Sequence, residues 1–559
     1  MPLTPAKSEM VFLALGGVGE IGMNVYLYGV GDDANRKWLM VDLGVTFPDD
    51  REPGVDLVLP DLRFIEEERA NLVGILLTHS HEDHFGAMPY LWPRLRVPVY
   101  GTRFTLEMLK SKLHDRPWRN EVPLRVVEAG ARFSIAPFDL ELVNMAHSIP
   151  ETSGVIFRHG GGVVFHTADW KLDPAPGLGW ATDTAKIEAL GREGVDVMIC
   201  DSTNVLSEGH TGSEADVERG LGMIIAGAQG RVAVTTFASN AARLLAVAKA
   251  AKAAGRELVL SGRAMHRVVE AARESGLWPA GFEFRTEDEF GYLPNDKVAL
   301  LCTGSQGEPR AALARIAEDE HPRITLNRGD TVVFSSRTIP GNENAVLRVQ
   351  NNLADQGVEV ITGDDATPVH TSGHPRRGEL QKMYGWAKPK TLIPVHGEPR
   401  HLEEHVRFAR ENGLKALGGV RNGHIVRLLP GEPEIVDEAP VGRVYRDGEL
   451  IAPSEDGPVQ ERRKLSFAGA VTVALVLRRD GDLAADPDWV TCGVPEEDDD
   501  GEPIDEVIEK AIHGALTSIP RARRKDAELV EEAIRRSVRS AIAGVWGKKT
   551  VCSVMVSIV

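Results

Sequence analysis

Thr78-His79-Ser80-His81-Glu82-Asp83-His84-Phe85-Gly86 is the stretch that decides this chain. Its three imidazoles and the Asp83 carboxylate lie within six residues, after the apolar run 72–78 and at the start of a helix-like segment. Such density is costly to bury unless something takes up the lone pairs, and imidazole with carboxylate suits zinc and similar transition metals. A lone histidine here would read as a surface or capping residue; four donors at this spacing do not. One short motif does not close two metal sites, so further donors must come from elsewhere. His147, Asp169 in His166-Thr167-Ala168-Asp169, and His396 in Pro394-Val395-His396-Gly397 each follow a strand-like run and complete the count.

The same pattern recurs through the first 400 residues: a β-branched or apolar run ends abruptly in chemically capable residues. The runs 72–78, 141–145, 163–165, 195–200 and 392–395 end at His79, His147, Asp169, Asp201 and His396. Short continuous apolar runs suit buried strands with functional loops at their ends. Between about residues 216 and 368 the character shifts to strand–helix alternation. A strand at 231–237 leads to Ser239 or Asn240, either able to cap an alanine-rich helix that stops at Gly255, and a strand resumes at 257–260. Further strands fall at 297–302, 331–334 and 358–362, so this segment reads as a doubly wound α/β domain inserted into the first one. Pro, Gly and acidic residues around 431–460 read as a linker. Strands at 469–477 and 550–559 with helices at 504–516 and 526–542 make a small final α/β domain, with the acids 496–500 in a solvated loop.

The whole chain has 559 residues, 42% hydrophobic and 26% charged, with a net charge of −18. That describes several ordinary globular domains and argues against coating nucleic acid by positive charge alone. No apolar run reaches the ~18–20 residues of a membrane span, and the first residues lack a basic, then apolar, export signal. The four cysteines stand far apart without a CxxC pair, which suits reduced thiols and a cytoplasmic protein.

HxHxDH, with Asp42 closing the first long strand in Leu39-Met40-Val41-Asp42-Leu43-Gly44, resembles the metallo-β-lactamase superfamily. Asp201-Ser202-Thr203-Asn204, Ser372-Gly373-His374 and Val395-His396-Gly397 resemble the three additional motifs of the β-CASP nucleases. Thr303-Gly304-Ser305-Gln306-Gly307-Glu308-Pro309 and Phe237-Ala238-Ser239-Asn240, in their order and spacing, are more narrowly similar to the ribonuclease J family. The resemblance covers nearly the whole chain and is weakest over the last hundred residues. It departs at Ser80, where the family has glycine, and at Pro375, which removes a backbone N–H after His374.

The resemblance implies an α/β fold: a metallo-β-lactamase αββα sandwich (1–215 and 369–445), an inserted β-CASP domain (216–368), a linker (446–462) and a C-terminal α/β domain (463–559). It implies two Zn2+ per chain, with Mn2+ or Mg2+ as substitutes. His79, His81 and His147 would hold one ion, Asp83, His84 and His396 the other, and Asp169 would bridge them. Asp42 would accept an imidazole N–H and orient a ligand ring. The expected reaction is attack of a metal-bound hydroxide on phosphorus. Asp83, His374 and Asp201 are the expected catalytic residues, His374 being held by Asp201 and protonating the leaving 3′-oxygen. The substrate implied is single-stranded RNA, cut 5′→3′ from a 5′-monophosphate end and also internally, in RNA decay and rRNA or mRNA maturation. His370, Thr371, Ser372, Gly373 and His374, with Ser336 and Arg337, would form the terminal-phosphate pocket, and Arg243, Arg263, Arg376 and Arg377 would touch backbone phosphates. A homodimer or homotetramer is implied, and no membrane.

Two alternatives stay open at this level: a DNA-directed β-CASP nuclease, and a non-catalytic RNA-binding subunit. Inactive relatives typically lose ligands, and here all seven are present. The charge is also uneven: residues 219–280 hold nine Lys/Arg against three acids, and 371–410 eight against four. A polyanion would therefore enter by a confined basic cleft.

Overall fold

The computed structural model describes residues 9–33, 35–363, 367–454 and 457–559. Two compact units emerge: the chain up to Thr46 with Val58–Val444, and Phe47–Leu57 with Tyr445–Val559.

Two sheets form the centre of the larger unit. The first runs Glu434–Glu438, His424–Leu429, Met10–Gly16, Val25–Val30, Lys37–Val41, Leu72–Leu76, Val99–Gly101, Leu124–Val126. The second runs Lys415–Ala416, Thr391–Val395, Val197–Asp201, Gly162–His166, Ser153–His159, Phe138–Asn144, Arg132–Ile135. Phe12, Tyr26, Tyr28 and Leu39 from one and Val155, Phe157, Val164, Ile199 and Ile393 from the other interlock between them. On the far face of the second sheet, Ile156, Phe165, Met198 and Leu392 pack against Ile187, Leu190, Leu380 and Met383 of two helices. With both faces covered, the strands Gly162–His166, Val197–Asp201 and Thr391–Val395 have no polar-out alternation, which is why they read as unbroken apolar runs.

A third, wholly parallel sheet lies in the insert: Glu257–Ser261, Val298–Cys302, Val232–Thr235, Thr331–Phe334, Glu359–Ile361. The expected cap is present, since the Asn240 side chain accepts the Arg243 N–H at 2.9 Å at the head of Ala241–Ala253.

In the smaller unit, Ala470–Leu477 lies between Asp488–Cys492 and Val551–Ile558. Val473, Ile512, Ile534 and Val538 fill the core between this sheet and the helices Ile504–Ser518 and Ala527–Trp546. The stretch 446–462, expected as a linker, carries the strand Leu450–Pro453 and the first turns of the helix Gly457–Ala468, with Pro453 and Gly457 at element ends. Residues 455 and 456 of it lie outside the described residues. No helix among the described residues is long and apolar enough to cross a membrane.

Strand direction positions the site. Gly162–His166, Val197–Asp201 and Thr391–Val395 are parallel neighbours, as are Lys37–Val41 and Leu72–Leu76. Parallel strands release their following loops at one end, so Asp169, Asp201 and His396 share a rim with Asp42 and the His79–His84 loop across the sandwich. Asp42, Ala168 and His396 adopt left-handed φ of 64°, 51° and 53°. Side chains rarely accept that conformation outside functional turns.

Candidate metal centre

Asp169 sits at the middle of the rim. Its Oδ2 lies 3.9 Å from His79 Nε2, 3.6 Å from His147 Nε2, 3.3 Å from His84 Nε2 and 3.6 Å from His396 Nε2. Asp83 Oδ2 is 3.6 Å from His84 Nε2 and 3.7 Å from His396 Nε2. Two donor groups result, His79, His81, His147 with Asp169, and Asp83, His84, His396 with Asp169. Within each group all ligand atoms lie within 4.8 Å of one another. Donors about 2.0–2.1 Å from a tetrahedral ion stand ~3.3 Å apart, so both groups are near coordination distance. All seven residues expected as ligands are in these two groups. A third grouping joins Asp201 and His374 to Asp169 and His396.

The nitrogens that face away from the centre are each engaged, which sets the tautomers. His84 Nδ1–H donates to Asp42 Oδ2 at 2.7 Å. The Thr78 hydroxyl donates to the same oxygen at 2.8 Å and accepts from His79 Nδ1–H at 3.0 Å. Asp42 therefore backs two rings, one directly and one through Thr78. His147 Nδ1–H donates to the Gly373 carbonyl at 2.6 Å, and His396 Nδ1–H to Asn24 Oδ1 at 2.8 Å. His81 Nε2 lies 3.4 Å from Ser148 Oγ, leaving its Nδ1 inward, 3.0 Å from His147 Nε2.

His79 Nε2 is buried without any hydrogen-bond partner, an arrangement proteins avoid unless a ligand satisfies the atom. Burial, reinforced by neighbouring imidazoles, holds His79 and His147 well below the ordinary histidine range and takes His81 down to about 4. These rings keep their lone pairs at neutral pH. At His84, burial works downward too, but Asp169, Asp83 and Asp42 outweigh it and raise the pKa. Asp169 is driven well below the carboxylate range by His396, His84 and His374 against the opposing effect of its burial. Three neutral imidazoles beside a charged carboxylate, with one orphaned nitrogen, fit a divalent cation.

His374 and Asp201 stand at the edge of this centre. His374 Nδ1 is 2.8 Å from Asp201 Oδ2 and 3.8 Å from Asp169 Oδ2. Burial would lower the imidazole pKa, but Asp201 first and then Asp169 carry it up to about 9. The other Asp201 oxygen accepts the Thr203 N–H at 2.8 Å. The His374 carbonyl accepts from Asn204 Nδ2 and the Thr211 hydroxyl, which fixes the loop.

Several residues of the expected phosphate pocket are already committed. The Thr371 hydroxyl donates to Gly212 O at 2.8 Å, while Ser372 Oγ accepts from Asn204 Nδ2 and from the His374 N–H. The Gly373 carbonyl belongs to His147, and a Cβ at Gly373 would lie 2.6 Å from His147 Cε1. His370 keeps an unpartnered Nδ1, and burial, with Arg243 and Lys171, takes its pKa to about 3. Ser336 is buried and Arg337 exposed.

Two arginines expected on RNA phosphates are not free for that role. Arg243 is fully buried, paired with both Glu214 oxygens at 3.0 Å and donating to Ser335 and Val369 carbonyls. Arg377 pairs with Glu208 and Glu404 and stacks on Phe408. Of the other two, Arg263 is exposed and Arg376 half-buried. Sequence reasoning gave no role to Asn24, Thr78 or Ser148. Thr78 and Ser148 adjoin predicted ligands, which is a usable signal. Asn24 lies 372 residues from His396 and carries none.

Four family models match the chain. They are the metallo-beta-lactamase superfamily over residues 18–260, the ribonuclease J beta-CASP domain over 229–353, the Zn-dependent metallo-hydrolase RNA specificity domain over 366–417, and the ribonuclease J C-terminal domain over 457–559. Ribonuclease J of Sinorhizobium meliloti is 52% identical over 549 residues, covering 98% of this chain and 97% of that protein. Ribonuclease J of Mycolicibacterium smegmatis is 37% identical over 544 residues, 96% and 95% of the two chains. Among solved structures, a protein of unknown function from Enterococcus faecalis V583 matches 77% of this chain and all of its own, with TM-score 0.50 and 14% identity, a likeness of fold alone.

Proposed function

The chain belongs to the ribonuclease J family and is a metal-dependent ribonuclease, and from that premise we propose that it hydrolyses single-stranded RNA with two zinc ions per chain, 5′→3′ from monophosphorylated ends and also internally. The observation that carries this proposal is the set of six donors around Asp169, seven with Asp169 itself, and the His374–Asp201 pair at its edge. His79, His81 and His147 would hold one ion, Asp83, His84 and His396 the second, with Asp169 shared. Cations bound there supply Lewis acidity, lowering the pKa of water towards neutrality and neutralising phosphate charge.

The remaining work falls to the chain. Asp42, Thr78, Ser148 and the Gly373 carbonyl keep the imidazoles aimed at the ions. His374, cationic near neutral pH, holds a proton on Nε2 for the departing 3′-oxygen, while Asp201 fixes the ring and stabilises its charge. The Thr371 hydroxyl donates to Gly212 and His370 is neutral, so we assign a terminal phosphate to the Ser372 O–H, which keeps its proton free to donate, with Arg337 supplying the positive charge.

We further propose a hydrolase domain of 1–215 and 369–445, an insert of 216–368 that roofs the site, and a C-terminal domain of 463–559 that assembles the chain as a dimer or tetramer. Free thiols at all four cysteines agree with a cytoplasmic setting in RNA decay and maturation. The test compares 5′-monophosphorylated with 5′-triphosphorylated RNA, each labelled at the 5′ end, with and without chelator. Mononucleotide release from the monophosphate alone, abolished by chelation, is the expected result. Equal release from both would remove the end preference, and no metal-dependent RNA cleavage would remove the catalytic assignment.

A further inference from the structure

We propose that Asn24 is the positioning residue of one half of the metal centre, holding Asp83 and His396 in place beside His84, with Tyr26 bracing its amide. Asn24 is fully buried just before the strand Val25–Val30 and touches all three residues. Its Oδ1 accepts His396 Nδ1–H at 2.8 Å, which turns His396 Nε2 towards the centre. Its Nδ2 donates to the Asp83 carbonyl at 3.1 Å and Asp83 Oδ2 at 3.3 Å, and lies 3.0 Å from His84 Nε2. The backbone joins in, since Asn24 N–H donates to the Asp83 carbonyl at 2.8 Å.

An amide can flip, and a flipped Asn24 would offer His396 a donor where it needs an acceptor. The Asp83 carbonyl, which can only accept, selects the orientation, and the Tyr26 hydroxyl reinforces it by donating to the same Oδ1 at 2.7 Å, its ring packed against Phe12 and His166. Gly17 makes room for the pair: a Cβ there would lie 2.4 Å from Asn24 Oδ1 and 2.5 Å from the Tyr26 hydroxyl. Gly17 has φ +86° and its carbonyl accepts the His396 N–H at 2.7 Å. One polar cradle thus joins the first strands to a ligand delivered after the whole insert. Among the described residues, Asn24 makes no hydrogen bond to His79, His81 or His147; their orienting partners are Thr78, Ser148 and Gly373.

The inference rests on the two-ion reading above. The experiment loads the full chain with Zn2+ or Co2+, dialyses it, measures metal per chain by mass spectrometry, and determines affinities by competition with a chromophoric chelator. His396→Ala and His79→Ala serve as references for losing either half. Asn24→Ala is expected to weaken one ion by ten- to a hundredfold and to reproduce the Co2+ spectrum and stoichiometry of His396→Ala, not of His79→Ala. Tyr26→Phe keeps the ring and is expected to weaken the same ion less. Wild-type protein that binds fewer than two ions overturns the two-ion reading itself. Wild-type binding of two ions, with Asn24→Ala retaining both at unchanged affinity or losing both equally, overturns the role of Asn24. Should Asn24→Ala not fold, Tyr26→Phe decides, and unchanged affinity for both ions overturns the proposal.

Discussion

Replacing Asp201 by asparagine tests the proton-donor assignment with one atom changed. The side chain is buried, and its Oδ1 accepts the Thr203 N–H at 2.8 Å while Oδ2 faces His374 Nδ1 at 2.8 Å. In the variant, the Thr203 N–H selects the amide oxygen, so the new NH2 group is turned to His374. A donor then faces a donor, and the imidazole escapes by giving up its Nδ1 proton, which leaves it neutral. The raised pKa of about 9 therefore falls, since burial acts downward on this ring and Asp201 is the largest charge opposing it. Bound cations offset Asp169 and Asp83, the other raising charges, which lowers the wild-type value from about 9 and leaves Asp201 as the main charge that keeps the ring protonated. A group active as the cation contributes fully below its pKa and is lost as pH rises through it. The basic limb of kcat should accordingly move down by at least one pH unit in Asp201→Asn, ~10-fold in rate above both limbs. Loss of acid catalysis altogether is worth about 10²–10⁴-fold, and His374→Ala should show that loss with no limb of this origin. The assay is single-turnover RNA cleavage from pH 6 to 10 with metal content verified. An Asp201→Asn enzyme with intact metals and the wild-type limb would refute the assignment.

Asp42→Ala removes the support of both His84 and, through Thr78, His79, and metal affinity should fall by about 10–100-fold at each ion. Gly373→Ala forces a methyl to within 2.6 Å of His147 Cε1 and 2.9 Å of Ser148 Oγ, so the His79–His81–His147 ion should be lost before the other, as read by metal stoichiometry. In the smaller unit, Ile534→Ala empties a fully buried position and should cost that unit about 2–5 kcal/mol in denaturant unfolding.

Several of these residues were legible because they stand at or just after the end of a buried strand, where an apolar run stops and a polar residue has no local reason to be. His79, Asp169, Asp201 and His396 all follow this rule, and the parallel pairing of their strands explains why one rim collects them. Residues that act through a partner far away in sequence left no such mark. Arg243 counted as one more basic residue, yet its capped position at the head of Ala241–Ala253 turns it inward to Glu214. Asn24 ends a glycine-rich turn and its meaning depends on His396. The strand Asp488–Cys492 is mostly solvent-exposed and so lacks the apolar run that betrayed the others. Leu450–Pro453 was hidden by turn-forming residues that proved to bound elements rather than to replace them.

The donor cluster spans from His79 to His396, with the whole insert between. During synthesis the His79–His84 loop is made more than three hundred residues before His396. A nascent chain paused inside the insert, or a fragment cut there, holds one donor group and only part of the other. Closure of the centre, and any cleavage that needs both donor groups, thus waits on a residue that follows the whole insert.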